Sequence, residues 1–108
     1  MNCYEHTLIV KQDLQENETT ALLTKYEDII KKNSGNVIKT ERWGLKNFPN
    51  KIKNNKKGLY FHIKLEGLGK TIEELEKAEN IDQMLIRFLT VKVKEHDLKT
   101  EYFEKKES

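Results

Sequence analysis

The apolar residues of this chain switch back and forth between two periods, and that switching limits the folds open to it. Residues 58–65 (GLYFHIKL) alternate strictly. Leu59, Phe61, Ile63 and Leu65 fall on one side and Tyr60, His62 and Lys64 on the other, which is the two-residue period of a half-buried strand. Within Glu16–Lys32, by contrast, Leu22, Leu23, Tyr26, Ile29 and Ile30 recur at helical spacing, a stripe that buries one face of a helix. Lys31 and Lys32 suit the negative end of that helix, and Asn33-Ser34-Gly35 supplies its stop.

The remaining segments extend the pattern. Residues 3–11 (CYEHTLIVK) are rich in β-branched and aromatic types and predict a strand, as do residues 37–45 and 84–93. Thr71-Ile72-Glu73-Glu74 has the spacing of a capping box with Thr71 at the cap, and Ile72, Leu75 and Ala78 give the short helix behind it a face to bury. The order β-α-β-β-α-β is the α+β, ferredoxin-like split βαβ plan. It places two helices on one face of a four-stranded antiparallel sheet and leaves the other face uncovered.

The 108 residues suffice for one modest core and not two. Residues 1–95 are expected to form the domain and 96–108, which lose periodicity, a mobile C-terminal tail. No apolar run exceeds three residues, so no segment suits a bilayer. The N-terminus lacks the basic and apolar regions of a signal peptide, and the lone Cys3 has no internal disulfide partner, so a cytoplasmic location is expected.

Charge is distributed unevenly. The net charge of +2 hides a lobe of +6 over residues 39–57 (KTERWGLKNFPNKIKNNKK), flanked by segments of −2 on either side. The lobe falls between two predicted strands, so it becomes the distal, protruding part of a long β-hairpin, with Pro49 marking an irregularity or the edge of pairing. A positive lobe with aromatic neighbours attracts polyanions, while a lysine run by itself is more often a solvated loop; its place at the tip of a hairpin shifts that balance. Lysine outnumbers arginine 18 to 2. The few arginines, Arg42 and Arg87, therefore stand out as places where a planar fork is needed.

Other constellations dissolve on inspection. Gly67-Leu68-Gly69-Lys70-Thr71 resembles the end of a phosphate-binding loop, but that loop needs a glycine where this chain has Lys64. Lys57-Gly58-Leu59-Tyr60-Phe61 only partly matches the central-strand motif of the RNA recognition module, with Leu59 at a stacking position and His62 in an aliphatic one. Cys3, His6, His62 and His96 lack metal-ligand spacing, so no metal and no cofactor is expected. No nucleophile-base set or carboxylate pair suggests catalysis, and no small-molecule substrate or membrane partner is expected.

The chain resembles the family of the sixth protein of the bacterial small ribosomal subunit. The resemblance is carried by Tyr4-Glu5, Val37, Trp43-Gly44-Leu45-Lys46, Ile52, Glu66 and the run from Leu85 to Lys92, and it spans residues 3–94. It implies a structural, non-enzymatic role in the ribosome, binding central-domain 16S ribosomal RNA as a heterodimer with the eighteenth small-subunit protein. Read from the residues, the candidate RNA-binding set is Arg87, Lys92, Tyr4, Lys46, Lys51, Lys53 and Lys56, and the candidate partner-binding residues are Leu89 and Val91 on the uncovered sheet face. The family's Leu-Ala-Tyr-Pro-Ile pattern reads Phe48-Pro49-Asn50-Lys51-Ile52 here, with the proline displaced by two positions. Asn2 and Asn80 stand where some relatives carry arginine, so RNA contacts there are expected to be weaker or absent.

Alternatives remain open on sequence. Arg87 either grips the RNA backbone or pairs with a carboxylate such as Asp82, Tyr4 either packs or contacts RNA, and Trp43 is expected to pack. A rival reading makes the chain a ferredoxin-like homodimer that binds or transforms a small metabolite, since the plan alone does not choose.

Overall fold

A computed structural model describes residues 2–94. The elements are β1 (Asn2–Lys11), α1 (Glu16–Lys32), β2 (Asn36–Ile52), β3 (Asn55–Gly67), α2 (Gly69–Asn80) and β4 (Leu85–Val93). The sheet is antiparallel in the order β2-β3-β1-β4, so β2 and β4 are its edges. The expected boundary at residue 95, the tail 96–108 and His96 lie outside the described residues.

Alternation sorts the side chains as the sequence requires. Tyr4, Leu8 and Val10 of β1 and Phe61, Ile63 and Leu65 of β3 meet Leu22, Leu23, Tyr26 and Ile30 of α1 and Leu75 of α2 in one core. Both helices therefore share a face of the sheet. Burying each such Leu or Ile contributes about 1.5–3 kcal/mol.

The caps depart from expectation at α2. The helix begins at Gly69 with Leu68 at the cap, so Thr71 lies inside the first turn. Its hydroxyl accepts from the Leu68 N–H at 3.0 Å and donates to the Asn33 carbonyl at 2.6 Å. Thr71 thus fills the glutamate's place in a capping box and ties the start of α2 to the end of α1. At α1 the stop is as expected: the Asn33 side chain donates to the Ile29 carbonyl at 2.8 Å and the Gly35 N–H to the Ile30 carbonyl at 2.8 Å.

β2 and β3 run further than their apolar pattern suggests and close on a two-residue turn. Lys53 and Asn54 both have positive φ, 48° and 65°, between the paired residues Ile52 and Asn55. Two left-handed central residues match the right-handed twist of the strands they join.

Candidate functional site

The basic hairpin is folded back rather than simply protruding. Between Asn47 and Ile52 the register of β2 against β3 shifts, and Pro49 lies within that shift. The surplus residues form a bulge that turns Phe48 inward against Ile9 and Ile86 in a second small core flanked by Ile52 and Tyr60. The approach requires a glycine opposite: a Cβ on Gly58 would meet Ile9 Cγ2 at 2.5 Å and Phe48 Cζ at 2.8 Å. The Tyr60 ring is packed beside Phe48, with centroids 6.3 Å apart. It is therefore no open stacking platform, as the partial match to the RNA recognition motif already implied.

This folding carries the turn toward β4. Lys53 lines a cleft of about 720 Å³ shared with Lys11, Asp13, Asn80 and Asp82, and a neighbouring one of about 220 Å³ shared with Arg87. Lys51, Lys53 and Lys56 are exposed, and Lys46 is half-buried farther along the edge. Arg87 is exposed, and among the described residues no carboxylate lies within ion-pair distance of it. Asp82, its expected alternative partner, is otherwise engaged. It accepts a very short hydrogen bond from the Tyr26 hydroxyl and another from the Met84 N–H at 2.9 Å, and it pairs with Lys25 at 3.5 Å. Burial alone would raise the Asp82 pKa, but these donors and the Lys25 charge hold it below the usual carboxylate range.

Tyr4 and Lys92 do not join this group. They sit opposite each other in register on the helix-covered side of the sheet, and Tyr4 is a core residue with 9% of its surface exposed. A strand points successive side chains to opposite faces, so Lys92 and Arg87, five residues apart, cannot share one. Of the two readings open for Tyr4, its burial favours packing.

Leu89 and Val91 do lie on the uncovered face, 62% and 48% exposed. Beside them runs a polar system that the sequence analysis missed. Trp43 stacks on His62, with centroids 4.7 Å apart and planes 13° from parallel, and its indole N–H donates to Glu41 at 2.8 Å. Lys64 and Lys39 approach the same buried carboxylate at 3.3 and 3.5 Å. Burial would raise the Glu41 pKa, but the Trp43 hydrogen bond and the lysines outweigh it and leave it lowered. His62 is pushed down, chiefly by burial. Neutral His62 donates from Nε2 to Glu5 at 3.0 Å and accepts from the Thr7 hydroxyl at Nδ1, 2.9 Å away. The available signal was the polar set Lys39, Glu41, Trp43 at every second residue of one strand.

A second missed pair lies under the sheet, where His6 Nε2 meets Glu79 at 2.6 Å with both side chains fully buried. Burial raises the Glu79 pKa against the pull of His6. His6 faces one side of the sheet and His62 the other. Among the described residues no three potential ligands gather at metal-binding distance.

With this geometry in view, the family profile described as Ribosomal protein S6 matches residues 3–92. The chain belongs to the ribosomal protein S6 family. Small ribosomal subunit protein bS6 of Pelagibacter ubique is 50% identical over 107 residues, covering 99% of this chain and 88% of the relative. The bS6 protein of Rickettsia felis is 40% identical over 92 residues, 85% of this chain and 76% of the relative. The crystal structure of 30S ribosomal protein S6 from Thermotoga maritima superposes with a TM-score of 0.81 at 28% identity, covering 98% of this chain and 94% of that one. Membership of the S6 family makes this a structural protein of the small ribosomal subunit, acting in the cytoplasm within the ribosome, and not an enzyme. It also separates the chain from the homodimeric metabolite-binding domains that share the plan.

Proposed function

We propose that the chain binds central-domain 16S ribosomal RNA together with the eighteenth small-subunit protein. The observation that carries this reading is the meeting of Lys53 and Arg87 at one cleft, beside the exposed Leu89 and Val91. Lys51, Lys53 and Lys56 neutralise phosphates as mobile point charges, and Arg87 grips one phosphate through its planar fork. Lys92, at the opposite end of β4, reaches RNA only where the RNA wraps past the end of the sheet. Leu89 and Val91 face the protein partner.

The test is the salt dependence of binding to the central-domain RNA. With about four phosphates neutralised, the logarithm of affinity falls with log salt at a slope of about −3 to −4. Replacing Lys51, Lys53 and Lys56 together with Gln flattens that slope by about two to three units and weakens cognate and random RNA alike. An affinity that stays flat between low and physiological salt overturns the reading.

A further inference from the structure

A groove of about 410 Å³ crosses the uncovered face. One wall is the Trp43–His62 stack, the other is Leu89 and Val91, and the floor is Thr7 and Ile9 of β1. Its two ends carry opposite charge. Arg87 pairs in register with Ile9, and Glu5 pairs with Val91 four residues along β4, a separation of about 13 Å at the rise of a strand.

Among the described residues no lysine or arginine lies within ion-pair distance of the Glu5 carboxylate. Lys64 is its cross-strand neighbour on β3, yet Lys64 and Lys39 both close on Glu41. His62, the group that does meet the Glu5 carboxylate, is held neutral by burial. The Glu5 side chain is 24% exposed: largely shielded by its neighbours and still reachable from outside. An apolar slot with a partly desolvated carboxylate at one end matches a side chain with an aliphatic stem and a cationic head.

We infer that this groove receives an arginine or lysine side chain from an extended segment of the protein partner, its stem between Trp43 and Val91 and its charge on Glu5. The inference rests on the reading that this face docks a protein, and it adds the chemistry that the face selects. The Arg87 end stays available to RNA, whose phosphates Glu5 repels. A second copy of the chain fits poorly, because β4 edge against β4 edge sets Arg87, Lys92 and Lys94 against themselves with no acid on that strand.

Two acetylated and amidated pentapeptides, Leu-Arg-Leu-Arg-Leu and Leu-Glu-Leu-Glu-Leu, are titrated into the isotopically labelled 108-residue protein and followed by NMR. The arginine peptide is expected to shift the Glu5, Thr7 and Val91 amides and the Trp43 indole N–H saturably, and the glutamate peptide to leave them in place. Glu5→Gln keeps a hydrogen-bond acceptor for His62 and is expected to raise the dissociation constant for the arginine peptide about tenfold. The wild-type comparison needs no variant, so a misfolded Glu5→Gln leaves the test intact. Equal shifts with both peptides, no saturable shift, displacement of the arginine peptide by RNA, or a dimer on a sizing column overturns the inference.

Calorimetric titration with the purified eighteenth small-subunit protein separates the two levels. Loss of binding in Leu89→Asp with none in Glu5→Gln sinks the groove chemistry and spares the docking reading. Full binding in both variants sinks both.

Discussion

The two edges of the sheet are built on opposite terms. β2 is interrupted three times against β3, at Ile38, at Trp43 beside Gly44 with its positive φ of 85°, and across the Phe48 bulge. Pro49 withholds a donor there, and Lys39, Arg42, Lys46 and Lys51 line the strand. β4 has one irregularity at its start and then pairs without a break from Arg87 to Val93, with Leu89, Val91 and Val93 turned to the uncovered side. Among the described residues no strand pairs with its outer edge. Bulges, proline and charge keep an edge from unplanned pairing. β4 has no proline, a single irregularity and charges of one sign only, Arg87 and Lys92, so it is less guarded than β2 and adjoins the apolar groove.

Removing the Phe48 ring tests whether the irregular edge is packed or merely slack. Phe48→Ala is expected to cost about 3 kcal/mol of stability in urea unfolding, because the ring fills the second core against Ile9 and Ile86. Unchanged stability would reduce the bulge to surplus loop and dissolve the contrast.

Leu89→Asp probes the regular edge. Folding stability is expected to stay within about 0.5 kcal/mol, since the side chain is exposed. Association with the eighteenth small-subunit protein is expected to weaken by about 2 kcal/mol, the size of a central interface residue. A large fall in melting temperature would instead make Leu89 a core residue.

Arg87→Lys keeps the charge and removes the fork. It is expected to cost about 1 kcal/mol on cognate RNA and less on random RNA in filter-binding titrations. Equal losses on both would make Arg87 interchangeable with the lysines of the β2 side.

The smallest effect expected is with pH. His62 has a folded pKa below its unfolded value, so the unfolded chain takes up the proton first. Its contribution is complete above about pH 6.5 and is lost as pH falls from there through the folded value. His62→Gln should flatten the stability profile in that window by a few tenths of a kcal/mol relative to the wild type. An unchanged profile would place the histidine in a more solvated setting than the stack with Trp43 gives it.

What could be read from the sequence follows from what local pattern encodes. Alternation and helical spacing gave the element order and the helix-bearing face, because each depends on residues a few positions apart. The extent of β2 beyond Leu45 was hidden, since a lysine-rich strand outside the apolar pattern looks like a loop. Thr71 was misplaced by three positions, from the cap to the third residue of the helix, because a hydroxyl can serve a helix start from either end of a capping box. His6 with Glu79 and Glu5 with His62 are separated by 73 and 57 positions, and only the folded sheet brings them together. The inward turn of Phe48 depended on Gly58 across the hairpin, a steric fact with no signature along the chain.

The buried carboxylate of Glu41 also fixes alignment. A strand with three interruptions has a loosely specified register, and a slip of one residue exchanges its two faces. Such a slip of β2 would carry Glu41 to the helix-covered side, against Phe61 and Ile63 and away from Lys39, Lys64 and the Trp43 indole. A buried charge stripped of its partners costs about 3–5 kcal/mol, a large share of what a domain of this size has to spare. The cluster therefore acts as a key cut for one pairing of β2 with β3, and it keeps Lys53 at the turn that faces Arg87.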